Sequence, residues 1–306
     1  MRVTNSMLGG QLLLSLQRVL GKLAKQQDQI ASGRRILAPS DDPAGIAQSL
    51  TVKSRQVLNQ QHQKNITEAR SMLETADSHL QTIIEAMTQV REIAVRGGND
   101  TNGPQERQAI GSQVNQFLES LVELANSKGN DGNYLFAGQE STTPPYTVTR
   151  NAQGNITAVT PNPRGIDSAI LAEVDDGVTL PVTISGTDIF GPSSSPTYAF
   201  DVLINLRDNL NANNGDAVRL ALSALDVVFD RATVSSTVVG ARLNRLDLLE
   251  PQQIEASANL ADTLSRIEDL DMARASIEFQ QQQTAYEAAL SAGARVIQQT
   301  LVDFLR

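Results

Sequence analysis

The side chains that carry most protein chemistry are scarce in this chain and badly spaced for it. It has two histidines, His62 and His79, and no cysteine. A thiolate nucleophile, a thiolate metal site and a disulfide framework are therefore excluded. Both histidines fall in one long helical pattern, too far apart to share a metal ion, and read as helix-surface residues. The adjacent pairs Asp41-Asp42 and Asp175-Asp176 do not converge on one substrate atom, and Asp42 before Pro43 reads as a helix cap. Gly129-Asn-Asp-Gly-Asn133 has the texture of a calcium loop without its spaced acids or terminal glutamate, so it reads as a turn. No phosphate-binding loop, nucleophile elbow or dinucleotide fingerprint occurs. The sequons at Asn65, Asn99 and Asn155 occur at chance level. These observations predict no catalytic residue, no cofactor and no metal: a structural protein, not an enzyme.

Composition points the same way. A net charge of -9 over 306 residues argues against a surface that holds nucleic acid or an anionic membrane by counterion release. Aromatics make up 4% and tryptophan is absent, which suits long helices better than a deep pocket. No apolar run reaches the roughly 18 residues of a membrane span, so no membrane insertion is expected. The stretch Leu8 to Leu16 is interrupted by Gln11 and Ser15 and continues into a helical pattern, unlike a cleaved leader.

What the chain has in place of chemistry is periodicity. Leu12, Leu16, Val19, Leu23, Ile30 and Leu37 step by three, four or seven residues, a helix edge. With Leu8, Leu13 and Leu20 the leucines cover an arc of roughly 140°, wider than a two-stranded seam needs. More than one partner helix is expected. Pro39 stops the pattern, Asp41 or Asp42 caps the next helix, and Pro43 suits its first turn. That helix, from about residue 44 to 95, carries the most regular heptad: Ile66, Ala69, Leu73, Ala76, Leu80, Ile83, Met87, Val90 and Ala94. Gly97 to Gly103 makes a turn, and Pro104 opens a third helix returning antiparallel through Ile110, Val114, Phe117, Leu121 and Leu124.

From 141 to 199 the texture changes to Pro, Gly, Thr and Val. Tyr146 to Arg150 and Asn155 to Thr160, flanking Asn151-Ala-Gln-Gly154, predict a β-hairpin; Gly177 to Ser185 predicts a further strand, with Pro181 favouring an edge. Helical period returns at Val202, Leu206 and Leu210. After the turn Asn211 to Gly215 a second seam runs Val218, Leu222, Leu225, Phe229, Ala232, Ser236, Val239, Leu243, Leu246, and Pro251 is expected to kink or break it. The last helix gathers Tyr286, Leu290, Ile297, Leu301, Phe304 and Leu305 on one face and Ala285, Ala288, Ala289, Ala292 and Val296 on another. Two faces imply two sets of neighbours.

The expected fold is mainly α with a β-rich insert: a long antiparallel coiled-coil rod formed by the N- and C-terminal halves. Its core is predicted at Ile66, Leu73, Leu80, Ile83, Met87, Val90, Phe117, Leu121, Leu222, Leu225, Phe229, Val239 and Leu243. The predicted assembly interface comprises Leu8, Leu12, Leu16, Val19, Leu23, Ile30, Tyr286, Leu290, Ile297, Leu301, Phe304 and Leu305. Residues 1–43 plus 271–306 would form a terminal assembly domain, 44–140 plus 200–270 the rod, and 141–199 an outer insert.

Two sets of motifs bring in a resemblance. Arg2-Val-Thr-Asn-Ser-Met7 and Gln29-Ile-Ala-Ser-Gly-Arg-Arg-Ile-Leu-Ala-Pro-Ser-Asp-Asp-Pro-Ala-Gly45 resemble the first helix and following turn of the bacterial flagellin family. Ser265-Arg-Ile-Glu-Asp-Leu-Asp-Met-Ala273 and Ala292-Gly-Ala-Arg-Val-Ile297 are similar to its C-terminal helix. Within the family, Pro39-Ser-Asp-Asp-Pro43 and Asp131-Gly-Asn-Tyr-Leu-Phe-Ala-Gly138 look more like members at the hook-filament junction than like the filament subunit. The resemblance implies an extracellular structural role in motility, in a ring of copies beside hook-associated protein 1 and flagellin. It also implies type III export without a cleaved signal peptide, helped by a flagellar export chaperone. The alternative it leaves is a flagellin filament subunit; a coiled-coil scaffold unrelated to flagella is a third reading.

Overall fold

The computed structural model describes the backbone of residues 5–129, 132–164 and 166–304, and side chains within 10–294. By contacts the chain forms two compact units, one of residues 1–58 with 256–306 and one of residues 59–255. The first is made of the two ends of the chain and the second of one continuous stretch, and two helices, α2 (Pro43–Gly97) and α6 (Gly215–Glu268), contribute to each.

In the 59–255 unit, all nine α2 heptad residues from Ile66 to Ala94 are buried. On α6, Val218, Leu225, Ala232, Val239 and Leu246 are buried, while Leu222, Phe229 and Leu243 are half-buried against the same core. A row of apolar residues every three or four positions yields a helix only when a facing row removes it from water, since an isolated helix is marginal. Cross-helix bonds define the antiparallel sense: Arg91 Nε to Asp226 at 2.6 Å near one end, Gln81 Nε2 to Ser236 Oγ at 3.1 Å in the middle. Helix α3 (Pro104–Ala125) begins at its proline as expected and buries Val114, Leu118, Leu121, Val122 and Ala125. Phe117 lies half-buried beside them. It packs on α5 (Ala199–Asn211).

Two turns at this end are joined by one side chain. Arg107, 6% exposed, donates from Nε to the Gly97 carbonyl at 3.1 Å and from Nη2 to the Asn99 carbonyl at 3.1 Å. Its Nη1 donates to the Asn213 carbonyl and Oδ1 at 3.1 and 2.7 Å. Asn213 adopts φ +57°, and a Cβ on Gly215 would lie 2.7 Å from the guanidinium. The Asn211–Gly215 turn is thus built around a buried cation whose donors are matched by carbonyls.

The insert contains the expected hairpin, β1 (Tyr146–Arg150) with β2 (Ile156–Pro161), turned at Gly154 with φ +85°. A second antiparallel pair, β3 (Leu171–Asp175) with β4 (Val178–Pro181), includes a strand the sequence pattern did not reveal. Pro181 ends β4, and the short helix α4 (Gly186–Phe190) follows, capped by the Ser185 hydroxyl. The insert is not a loose appendage. Phe136, Tyr146, Phe190, Tyr198 and Phe200 are essentially buried and form a continuous aromatic cluster, with ring centroids 5.0 to 6.3 Å apart. Asn126, just past α3, clamps β1 by giving and receiving a 3.0 Å bond with the Tyr146 backbone.

One expectation is corrected. Pro251 does not break α6, which continues to Glu268. Proline removes one intrahelical bond, but the segment is held from outside: Arg70 pairs with Asp247 and, at 2.7 Å, with Glu250. Gln253 is bonded to α2.

The aromatic cluster generates a test. Phe190→Ala should destabilise the chain by about 3–5 kcal/mol, read from urea unfolding. Tyr146→Phe should be neutral or stabilising by up to about 1 kcal/mol, because the Tyr146 hydroxyl is buried without a partner and its removal relieves an unmet desolvation cost.

Candidate assembly surface

In the unit formed by the chain ends, α1 (Asn5–Ser32) packs on α7 (Met272–Phe304). Leu12 sits where a Cβ on Gly293 would lie, 2.5 Å away, so the glycine permits close approach of the two backbones. On α1 the half-buried stripe is Leu12, Leu16, Val19, Leu23, Gln26 and Ile30. On α7, Ala275 and Gly293 are buried, and Phe279, Gln282, Tyr286 and Ala289 are half-buried. Gln26 and Gln282 each keep a side-chain oxygen away from water with no donor.

This arrangement divides the predicted interface. Leu12, Leu16, Val19, Leu23, Ile30 and Tyr286 are partly used in the α1–α7 seam, while Leu290 stays 44% exposed. Leu8, Ile297, Leu301, Phe304 and Leu305 lie outside the described side chains. Of the other leucines in the predicted arc, Leu13 is 61% and Leu20 48% exposed; Leu14 and Ile277, not anticipated, are 56% and 60% exposed. On α7 the contact stripe takes Ala289 from the alanine face and leaves Ala285, Ala288 and Ala292 exposed.

The motif-bearing turn after α1 meets the motif-bearing end of α6. The Arg35 amide donates to the Glu268 carbonyl at 2.6 Å, and the Leu270 amide donates to the Gly33 carbonyl at 2.9 Å. Arg35 Nη2 donates to the Ile267 carbonyl at 2.8 Å. Within the turn, Asp41 Oδ2 accepts from the Leu37 and Ala38 amides, each at 3.2 Å, and Asp42 Oδ1 caps α2 by accepting from the Gly45 amide at 2.9 Å. A Cβ on Gly45 would strike Asp42 and Ile36. Lys25, 2.5 Å from Asp41, holds that carboxyl below its ordinary range.

Glu268 is the centre of this clasp. It is 8% exposed, and one of its oxygens accepts from both Lys53 Nζ and the Ser49 hydroxyl. Those bonds, led by Lys53, outweigh burial and hold the carboxyl below its ordinary value. The geometry supplies cohesion between the turn after α1 and the end of α6. Among the described residues, no three His, Cys, Asp or Glu side chains are grouped to hold a metal ion, and no helix is long and apolar enough to cross a membrane. His79 is pushed below its ordinary pKa by burial. A hollow of about 490 Å³ between α2 and the insert has Met72, Leu135, Ile170 and Val182 on its walls and, among the described residues, a single carboxylate, Glu68.

The two chain ends thus clasp each other and leave apolar side chains exposed on α1 and α7. Residues 3–141 match the bacterial flagellin N-terminal helical region and residues 222–305 the C-terminal helical region. The chain belongs to the bacterial flagellin family. It is 22% identical over 303 residues to flagellar hook-associated protein 3 of Escherichia coli (strain K12), covering 95% of this chain and 96% of that one. Among solved structures, a putative flagellar hook-associated protein from Vibrio parahaemolyticus superposes with TM-score 0.65 at 21% identity, over 75% of this chain and 100% of that one. Flagellar hook-associated protein 3 from Legionella pneumophila gives 0.62 at 16% identity, over 71% and 98%.

The clasp carries a pH signature. Because the folded-state pKa of Glu268 lies below the ordinary 4.5, its contribution is complete above that value and is lost as pH falls through the folded value. Glu268→Gln should cost about 1–3 kcal/mol near neutrality, lowered by the exposure of Lys53. The difference in unfolding free energy between wild type and variant should shrink steadily below about pH 4.5.

Proposed function

We propose that this chain is a structural protein of the bacterial flagellum that forms the junction between hook and filament and acts as a mechanical adaptor in assembly and motility. The observation that carries the reading is similarity to Escherichia coli hook-associated protein 3 along nearly the full length of both chains, with the clasp uniting the motifs at the two ends. The role is mechanical, without catalysis.

In this reading several copies form a ring, with hook-associated protein 1 on one side and flagellin on the other. The chain is extracellular, exported without a cleaved signal peptide through the flagellar type III apparatus with a dedicated chaperone. Residues 1–43 and 271–306 make the assembly domain, 44–140 and 200–270 the helical rod, and 141–199 the outer insert. The exposed apolar side chains on α1 and α7 support the first assignment: Leu13, Leu14, Leu20, Ile277 and Leu290 are each 44% exposed or more.

Localisation tests the proposal. A labelled chain should appear as a single focus at the base of each filament; label along the filament would make it a filament subunit instead. Leu20→Asp should abolish incorporation while helicity and unfolding midpoint stay at wild-type values, because Leu20 lies outside the α1–α7 seam. Leu16→Asp should reduce both. Normal incorporation of Leu20→Asp in swimming cells would remove α1 from the assembly surface.

A further inference from the structure

Asn59 and Gln253 are 6% and 5% exposed, unusual burial for carboxamides in a pair of long helices. Asn59 Nδ2 donates to Gln253 Oε1 at 2.6 Å and to the Gln253 carbonyl at 3.1 Å. Gln63, one turn further along α2, completes the layer: its Nε2 donates to Asn59 Oδ1 at 3.0 Å and to the Gln253 carbonyl at 3.0 Å.

Their heptad positions give these residues meaning. Seven-residue steps from Asn59 along α2 lead to Ile66, Leu73, Leu80, Met87 and Ala94; seven-residue steps back from Gln253 along α6 lead to Leu246, Val239, Ala232, Leu225 and Val218. Every one of those ten residues is buried and apolar. In both rows the polar member is the one that faces the other row's polar member. Apolar contacts are non-directional, so a row of leucine, isoleucine, valine and alanine repeated every seven residues sets spacing without setting stagger. A slip of one heptad would leave most apolar side chains facing apolar side chains, but it would set Asn59 against Leu246 or Gln253 against Ile66. Either way buried carboxamides would lose their partners, which the apolar rows would not penalise by themselves.

We propose that Asn59 and Gln253, supported by Gln63, are positioning residues that determine the register of α2 on α6. They lower the stability of the pair relative to an all-apolar seam and make one stagger unique, the use best attested for a single polar layer in a coiled coil. Gln63 holds the Asn59 amide in the orientation that reaches Gln253.

The absence of cysteine makes the test clean. Gln81→Cys with Ser236→Cys reports the native stagger, since these two side chains already touch at 3.1 Å. Glu74→Cys or Thr88→Cys with Ser236→Cys reports a slip of one heptad in either direction. Each pair is refolded from denaturant as the full chain and oxidised, in the wild-type background and with Asn59→Leu/Gln253→Leu. Expected is native-stagger product alone in the wild type. In the double leucine variant slipped product should rise on the order of tenfold or more, as loss of about one buried polar pairing implies, with an unfolding midpoint no lower than wild type. The exchange Asn59→Gln/Gln253→Asn should restore the single stagger, and Asn59→Leu alone should lower the midpoint. Native-stagger product alone in the double leucine variant would overturn the proposal and assign register to the rest of the 59–255 unit; a lowered midpoint with no slipped product would reduce the layer to ordinary cohesion.

Discussion

The burial of one apolar row of α2 against α6 is the interaction on which the other features of the 59–255 unit depend. Neither helix is stable alone at such length, because backbone ordering costs about 1–2 kcal/mol per residue and helix propensity does not return it. Ile66, Leu73, Leu80, Val90, Val218 and Leu246, all 1% exposed or less, supply what propensity lacks. The charged bonds beside the row, Arg91 with Asp226 and Arg70 with Asp247 and Glu250, are partly solvated and contribute little individually. Their value is directional: they are compatible with one sense of pairing.

The two units solve the burial problem differently. The 59–255 unit concentrates its largest buried side chains in an aromatic cluster that knits the insert to α5, and it ties two turns together with Arg107. Among the described residues, the unit of the chain ends has no comparable core. Its helices meet along a stripe that is mostly half-buried, with a glycine at one contact and two glutamines without donors, and leucines remain in water beside it. A stripe of that kind holds two helices together and leaves each able to take another neighbour. The clasp around Glu268 is the exception, a compact polar knot through which the turn after α1 is fastened to the end of α6.

Much of this was legible from residue types alone, for a physical reason: a helix that buries one face repeats its apolar residues at a fixed interval. Ile66 to Ala94 and Val218 to Leu246 carry that interval, and Pro104, Asp42-Pro43 and Asn211 to Gly215 announce starts and turns by local chemistry. The aromatic cluster was not legible because Phe136, Tyr146, Phe190, Tyr198 and Phe200 come from loops, a strand and two helices with no common period. Strand β3 was hidden because Leu171-Ala-Glu-Val-Asp175 alternates only weakly and owes its pairing to the Gly177 turn. Pro251 misled because local propensity was weighed without Arg70 and Asn59 across the seam. At the candidate surface the sequence showed an arc of leucines on α1, and the place of Leu12 in the internal contact depended on where Gly293 stands on α7.

The central claim is that α1 and α7 are paired loosely within one copy and acquire the rest of their burial from neighbours. Amide hydrogen exchange, followed residue by residue in the free chain and in the assembled flagellum, measures this directly. Amides of α1 and α7 should exchange orders of magnitude faster than those of α2 between Ile66 and Ala94 in the free chain, and become comparably slow on assembly. Protection of α1 and α7 equal to that of α2 in the free chain, unchanged on assembly, would contradict the account.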